Sequence, residues 1–156
     1  MFPPQFLVAE RIVCDLEISS KKRLLQALAG LLTADLGAIT QEDVFEHLLE
    51  RERLGSTGLG HGIALPHSRM KDLAQARGAF VQLRQGIDFD AIDGAPVHLA
   101  FALLVPQEAN EAHLQLLSAL ARMFSDASLR QGLQAARSPG EVLGLFTGWG
   151  PAASPS

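Results

Sequence analysis

The chain has 156 residues, 47% hydrophobic and 19% charged, with a formal net charge of -4. That is the size of one domain with a sizeable core, and its acidic balance leaves no electrostatic footprint for nucleic acid or an anionic membrane surface. Its one cysteine, Cys14, excludes an internal disulfide and fits a reducing cytoplasm, and the longest apolar run, near residues 97–106, is too short to span a bilayer.

Residues 1–10 carry Pro3 and Pro4, no clear periodicity and no basic region ahead of an apolar run. They are expected to form a loosely held lead-in and not a secretion signal. Residues 11–16 read as a short edge strand. Ser19 or Ser20 supplies an N-cap for a helix to about Thr33, with Leu24, Leu25, Leu28, Leu31 and Leu32 on one face. After a turn at Gly37, Thr40-Gln41-Glu42-Asp43 resembles a capping box and opens a second helix. Its buried stripe is Val44, Phe45, Leu48 and Leu49, and it ends near residues 51–53.

Four glycines, Gly55, Gly58, Gly60 and Gly62, then fall within eight residues, a density foreign to a helix interior. Ile63, Ala64 and Leu65 read as a short strand. Pro66 ends it by removing a ladder donor and holding Leu65 extended. His67 follows, with small Ser68 beside it, so its imidazole is expected at the open end of a strand, presented to a visitor. A strand at 78–84, bounded by Gly86, comes next; residues 87–90 alternate and read as a short hairpin arm, and Asp93-Gly94 is a turn signal. From Val97 to Val105 the chain is almost continuously apolar, as in a strand covered on both faces.

Residues 110–124 return to a helical period, with Leu116, Leu117, Leu120, Ala121 and Phe124 on one face and His113 sharing it in the first turn. Shorter helices at 128–136 and 139–146 follow, and residues 148–156, rich in Gly, Pro, Ala and Ser, are expected to fray as a flexible tail. This order predicts an α+β fold: a three-layer α/β/α sandwich with a central mixed β-sheet, in a single domain over residues 11–147.

His67 and His113 each follow a strand. If those strands are neighbours, both imidazoles reach one rim of the sheet, where open α/β folds place their sites. Arg51 leads into the loop that reaches His67. Two imidazoles and a guanidinium suit the acceptance of a phosphoryl group, because neutral imidazole is a nucleophile near pH 7. The charge of about -1.5 to -2 on phosphate would be met by Arg51, a protonated His113 and loop N–H groups. Each residue also has a plainer reading. His67 would be a polar residue after a strand-ending proline, although its small neighbours favour function. From spacing alone His113 reads equally as a helix residue capped within its own turn, and Arg51 alone reads as a cation at a helix C-terminus. His61 reads as solvated loop, His47 and His98 as structural, and Ser56 and Thr57 as turn residues.

Other chemistries fit less well. His61 and His67 lack ligand spacing for zinc and Cys14 is isolated. There is no Gly-x-Ser-x-Gly elbow, and the glycines do not form Gly-x-x-x-x-Gly-Lys-Ser/Thr. Asp88, Asp90 and Asp93 read as turn residues. Neither metal nor cofactor is expected.

Arg51-Glu52 followed by Leu54-Gly-Ser-Thr-Gly-x-Gly-x-Gly-Ile-Ala-x-Pro-His67 resembles the active-site segment of the fructose/mannitol-type IIA proteins of the bacterial phosphotransferase system. Phe80-Val-Gln-Leu, Ile87-Asp-Phe-Asp-Ala-Ile-Asp93 and Phe101-Ala-Leu-Leu-Val-Pro106 are similar to its nitrogen-regulatory branch, and His113-Leu-Gln-x-Leu-Ser118 to its second-histidine motif. The likeness runs from about residue 11 to 146; Ser68-Arg69 stands where Gly-Lys is common. The resemblance implies that His67 is the phosphoryl acceptor, through Nε2, with His113 and Arg51 orienting and neutralising the group. It implies a histidine-phosphorylated carrier of the HPr type as donor, itself charged from phosphoenolpyruvate by enzyme I. It further implies a cytoplasmic regulator acting on partner proteins according to phosphorylation state. Two alternatives stay open: a sugar-specific IIA passing phosphate to a transporter IIB domain, and a regulator that only docks.

Overall fold

The strand β6 (Val97–Pro106) is apolar on both faces, and the rest of the chain covers it from two sides. In the computed structural model, which describes residues 2–108 and 111–149, the other strands are β1 (Ile12–Leu16), β2 (Gly58–Gly60), β3 (Ile63–Ala64), β4 (His67–Met70) and β5 (Arg77–Ile87). The helices are α1 (Lys21–Thr33), α2 (Gln41–Arg53), α3 (Glu111–Phe124), α4 (Ala127–Ala135) and α5 (Pro139–Gly148). The sheet runs β1-β5-β6-β3-β2, with β4 also paired to β6. β5 lies antiparallel to β6, while β3 and β4 lie parallel to it and β1 parallel to β5. The sheet is mixed, as expected.

Period-two alternation sorts the β6 side chains between two cores. Leu99, Phe101, Leu103 and Val105 pack with Leu116, Leu120, Phe124, Leu133 and Phe146 from α3, α4 and α5. Ala100, Ala102 and Leu104 pack with Leu24, Leu28, Leu32, Val44 and Leu48 from α1 and α2. These are the two outer layers of the α/β/α sandwich. Each large apolar side chain so buried contributes about 1.5–3 kcal/mol before ordering costs. Ser20 and Thr40 cap α1 and α2, their hydroxyls accepting from the N–H groups of Arg23 and Asp43 at 3.2 Å. An exposed first turn finds its partners this way.

Three expectations change. The chain does not leave the sheet at Pro66: β4 resumes the parallel ladder with β6 in the register that β3 began, Ile63 opposite Leu99 and His67 opposite Leu103. Pro66 lacks a donor, yet its carbonyl still accepts from Leu103 N–H at 2.9 Å, so the edge is interrupted and not ended. Residues 87–90 do not form a separate hairpin arm. Ile87 closes β5 opposite Val97, and Asp90 turns away with φ of 55°. The N-terminal lead-in is anchored, with Phe6 and Leu7 buried. The Phe6 ring stacks on Phe101 and Phe146, and Arg11 donates to the carbonyls of Gln5, Phe6 and Gly78. Of the expected tail, Trp149 donates from Nε1 to Asp126 at 3.0 Å; the remainder after it lies outside the described residues.

Candidate functional site

The register of β4 decides where His67 points. It pairs with Leu103, whose side chain faces the layer of α3, so the imidazole rises on that same face. His113 sits in the first turn of α3, just past the carboxyl end of β6. The two rings stand 5.8 Å apart between centroids, inclined at 67°. Arg51 comes from the opposite layer, in the last turn of α2, with Nη1 donating to the Gly55 carbonyl at 3.0 Å. The glycines shape the approach to His67. Gly60, His61 and Gly62 hold φ of 87°, 58° and 80° in succession, a left-handed turn between β2 and β3 that glycine adopts without steric cost.

The His67 ring is held in one tautomer. Its Nδ1 lies 2.9 Å from the Leu65 carbonyl, which can only accept, so Nδ1 carries the proton and Nε2 keeps its lone pair. The pKa of His67 is lowered chiefly by burial and further by the charge of Arg51; the Leu65 bond and Glu52 pull the other way. That of His113 is lowered too, by burial first and then by the neighbouring His67 and Arg69. Both rings are therefore neutral near pH 7. The burial of His113, with 7% of its surface exposed, works against the protonated form expected from sequence. A neutral ring still offers one N–H.

The pH dependence of stability follows. Each folded pKa lies below the usual 6.5. Below that value the unfolded chain binds more protons, so this stability is complete above about 6.5 and falls as pH drops toward the lowered values. Between about pH 7.5 and about pH 5.5, His113→Gln should lose less melting temperature than the wild type. Equal losses in both would contradict the lowered pKa of His113.

The other histidines stand elsewhere in the fold. His47 lies exposed on α2 with Nδ1 2.7 Å from the Asp43 carbonyl, His61 occupies the exposed β2–β3 turn with its N–H on Asp93, and His98 is half-buried within β6. Ser56 does serve the loop, its hydroxyl donating to the Phe89 carbonyl at 2.9 Å. Among the described residues no three His, Cys, Asp or Glu side chains are gathered as a metal set.

Residues 5–148 match the family described as the phosphoenolpyruvate-dependent sugar phosphotransferase system, EIIA 2. The chain belongs to that family. Among its relatives, the nitrogen regulatory protein of Pseudomonas aeruginosa is 43% identical over 132 residues, 85% of this chain and 86% of that protein. The crystal structure of nitrogen regulatory protein IIA-Ntr from Neisseria meningitidis is similar with a TM-score of 0.86 at 46% identity, covering 91% of this chain and 97% of that one. The mannitol IIA of Escherichia coli, solved in complex with phosphorylated mannitol IIB, aligns with a TM-score of 0.77 at 26% identity over 92% of this chain and 98% of its own. The fold and the nitrogen-regulatory IIA kinship expected from sequence are thus established.

What sequence reasoning passed over in this IIA chain is Glu52, quoted only within the motif. Its side chain is 2% exposed and pairs with Lys21 Nζ at 2.9 Å. A signal existed: Val44, Leu48 and Glu52 recur every fourth residue on the buried face of α2. An acid on such a stripe demands partners.

Proposed function

We propose that this IIA protein accepts a phosphoryl group on Nε2 of His67 from a histidine-phosphorylated HPr-type carrier, and regulates partner proteins according to its phosphorylation state. The observation that carries the reading is the His67 ring itself. Nδ1 is tied to a carbonyl, Nε2 is left with its lone pair, and the ring stands beside His113 and within reach of the Arg51 charge. The family match and the nitrogen regulatory relatives support the regulatory role.

Transfer on this reading is an in-line displacement. The Nε2 lone pair of His67 forms the new N–P bond as the carrier's N–P bond breaks and its electron pair returns to the carrier's imidazole. Nδ1 keeps its proton, donated to the Leu65 carbonyl, and the positive charge this leaves on the phosphorylated ring is set against the negative phosphoryl group. Positioning and electrostatics do the rest. Arg51 meets the dianion with a fixed positive charge, His113 with an N–H. Leu54, just beyond the helix that carries Arg51, and Leu114, next to His113 in the chain, are exposed. A small, wet interface suits a carrier that must leave.

Mixed with enzyme I, the carrier and phosphoenolpyruvate, the wild-type chain should take up one phosphoryl group. Arg51→Ala and His113→Ala should remain folded and label more slowly, by on the order of a hundredfold for the loss of a charge-stabilising donor. Wild-type rates in both would remove them from the site. A second reading has its own support, since the mannitol IIA relative was solved with phosphorylated IIB. Phosphate moving onward from this chain to an added IIB domain would favour that sugar-specific role. No labelling at all would leave a protein that only docks.

A further inference from the structure

We infer that Glu52 is a positioning residue, holding the imidazole of His67 in its reactive tautomer through a continuous line of hydrogen bonds across the glycine loop. The inference rests on the proposal that His67 is the acceptor, and adds a buried group that does not touch the phosphoryl group itself.

The line begins on a carboxylate that water does not reach. Glu52 accepts from Lys21 Nζ at 2.9 Å and from the Thr57 N–H at 3.2 Å and 3.3 Å through its two oxygens, and the Thr57 hydroxyl also donates to it. Thr57 is itself buried, and its carbonyl accepts from the Leu65 N–H at 2.9 Å. The Leu65 carbonyl then accepts from His67 Nδ1 at 2.9 Å. The donor and the acceptor of Thr57, and likewise of Leu65, belong to successive peptide groups, so the line acts by fixing positions: Glu52 holds Thr57, and the Thr57 carbonyl holds Leu65. Glu52 thus keeps the Leu65 carbonyl aimed at Nδ1, which fixes the nitrogen that keeps the proton, while its negative charge acts on the ring through space.

A charge this deep is costly unless paired. Lys21 supplies the pair from the first turn of α1, and is itself steadied 4.5 Å above the Phe89 ring and 3.7 Å from exposed Asp90. The consequence is mechanical as well as electrical. Glu52 clamps α1, the end of α2 and the loop at Thr57 to one point, and the preceding residue, Arg51, is the helper guanidinium. Arg51 and Glu52 act on the His67 ring through their charges, the first lowering and the second raising its pKa, and His113 stands beside it. A purely structural ion pair would account for the burial, but it predicts nothing about the proton on His67.

The test reads the imidazole directly. In unphosphorylated protein labelled with nitrogen-15 at histidine, the wild-type His67 resonances should report one tautomer, proton on Nδ1. Glu52→Gln and Thr57→Val should mix in the other tautomer and lower the His67 pKa further, while Thr57→Ser, which keeps the hydroxyl, should restore the wild-type spectrum. Phosphoryl uptake from the carrier should fall in step in Glu52→Gln, on the order of tenfold to a hundredfold. A folded Glu52→Gln with unchanged His67 resonances and unchanged uptake overturns the inference. If that variant does not fold, the contrast between Thr57→Val and Thr57→Ser decides, and identical spectra there overturn it. Failure of the acceptor proposal is separately visible: wild-type protein would carry no phosphate on His67, whatever its tautomer.

Discussion

His67→Ala should take up no phosphoryl group above background from a phosphorylated HPr-type carrier, under conditions that label the wild type fully. Covalent transfer needs a nucleophilic lone pair aligned with the phosphorus, and no other imidazole can supply it from the same place. His113 is buried to 7% exposure, and its Nδ1 is enclosed without a hydrogen-bond partner among the described residues. The exposed rings of His47 and His61 lie on other elements. The fold should survive, because the substitution leaves one carbonyl without its donor, at a cost of about 1–3 kcal/mol, below the stability of a typical domain. Circular dichroism and a melting curve would verify that, with His67→Gln as a polar control. Full labelling of either variant would remove His67 from the reaction.

Phe101→Ala is expected to have the largest effect on stability. The ring is fully buried at the middle of β6, 5.5 Å from Phe146, 5.8 Å from Phe6 and 5.9 Å from Phe124. Room for it exists because Gly78, diagonal to it on β5, carries no side chain: a Cβ there would fall 2.3 Å from Phe101 Cζ. Removing the ring leaves a cavity that three aromatic neighbours from separate elements cannot all close. The loss should be about 3–5 kcal/mol, against a smaller one, on the order of 1–1.5 kcal/mol, for Phe101→Leu, which keeps most of the side-chain volume. In a chain of this length the melting temperature should drop by roughly 10 °C in the alanine variant. Equal melting of both variants would mean that the cluster does not hold the α3–α5 layer to the sheet. Gly78→Ala approaches the same ring from the other side and should be destabilising through overpacking.

Much of this architecture is legible because its signals are periodic. The unbroken apolar run of β6 requires cover on both faces, and the two cores provide it. The leucine stripe of α1 and the hydroxyl caps of Ser20 and Thr40 are local and appear where expected. The meeting of His67 and His113 was legible as a condition, that their strands be neighbours, and β4 and β6 are paired. What escaped is non-local. Phe6 and Leu7 have no period because they fill single gaps against rings almost a hundred residues away or more. The resumption of pairing after Pro66 depends on the register of β6, invisible from the segment itself. The neutrality of His113 depends on burial that spacing alone could not decide. Lys21 and Glu52 meet across two helices, and only the spacing of Glu52 on the α2 stripe hinted at it.

Which nitrogen of His67 bears the phosphate is decided by the bond from Nδ1 to the Leu65 carbonyl. Phosphorus-31 and nitrogen-15 spectra of the wild-type chain, phosphorylated through the carrier, would show it directly. The expected result is a single phosphohistidine with phosphorus bonded to Nε2 of His67 and the proton retained on Nδ1. Phosphorus on Nδ1, or on any other residue, would contradict it.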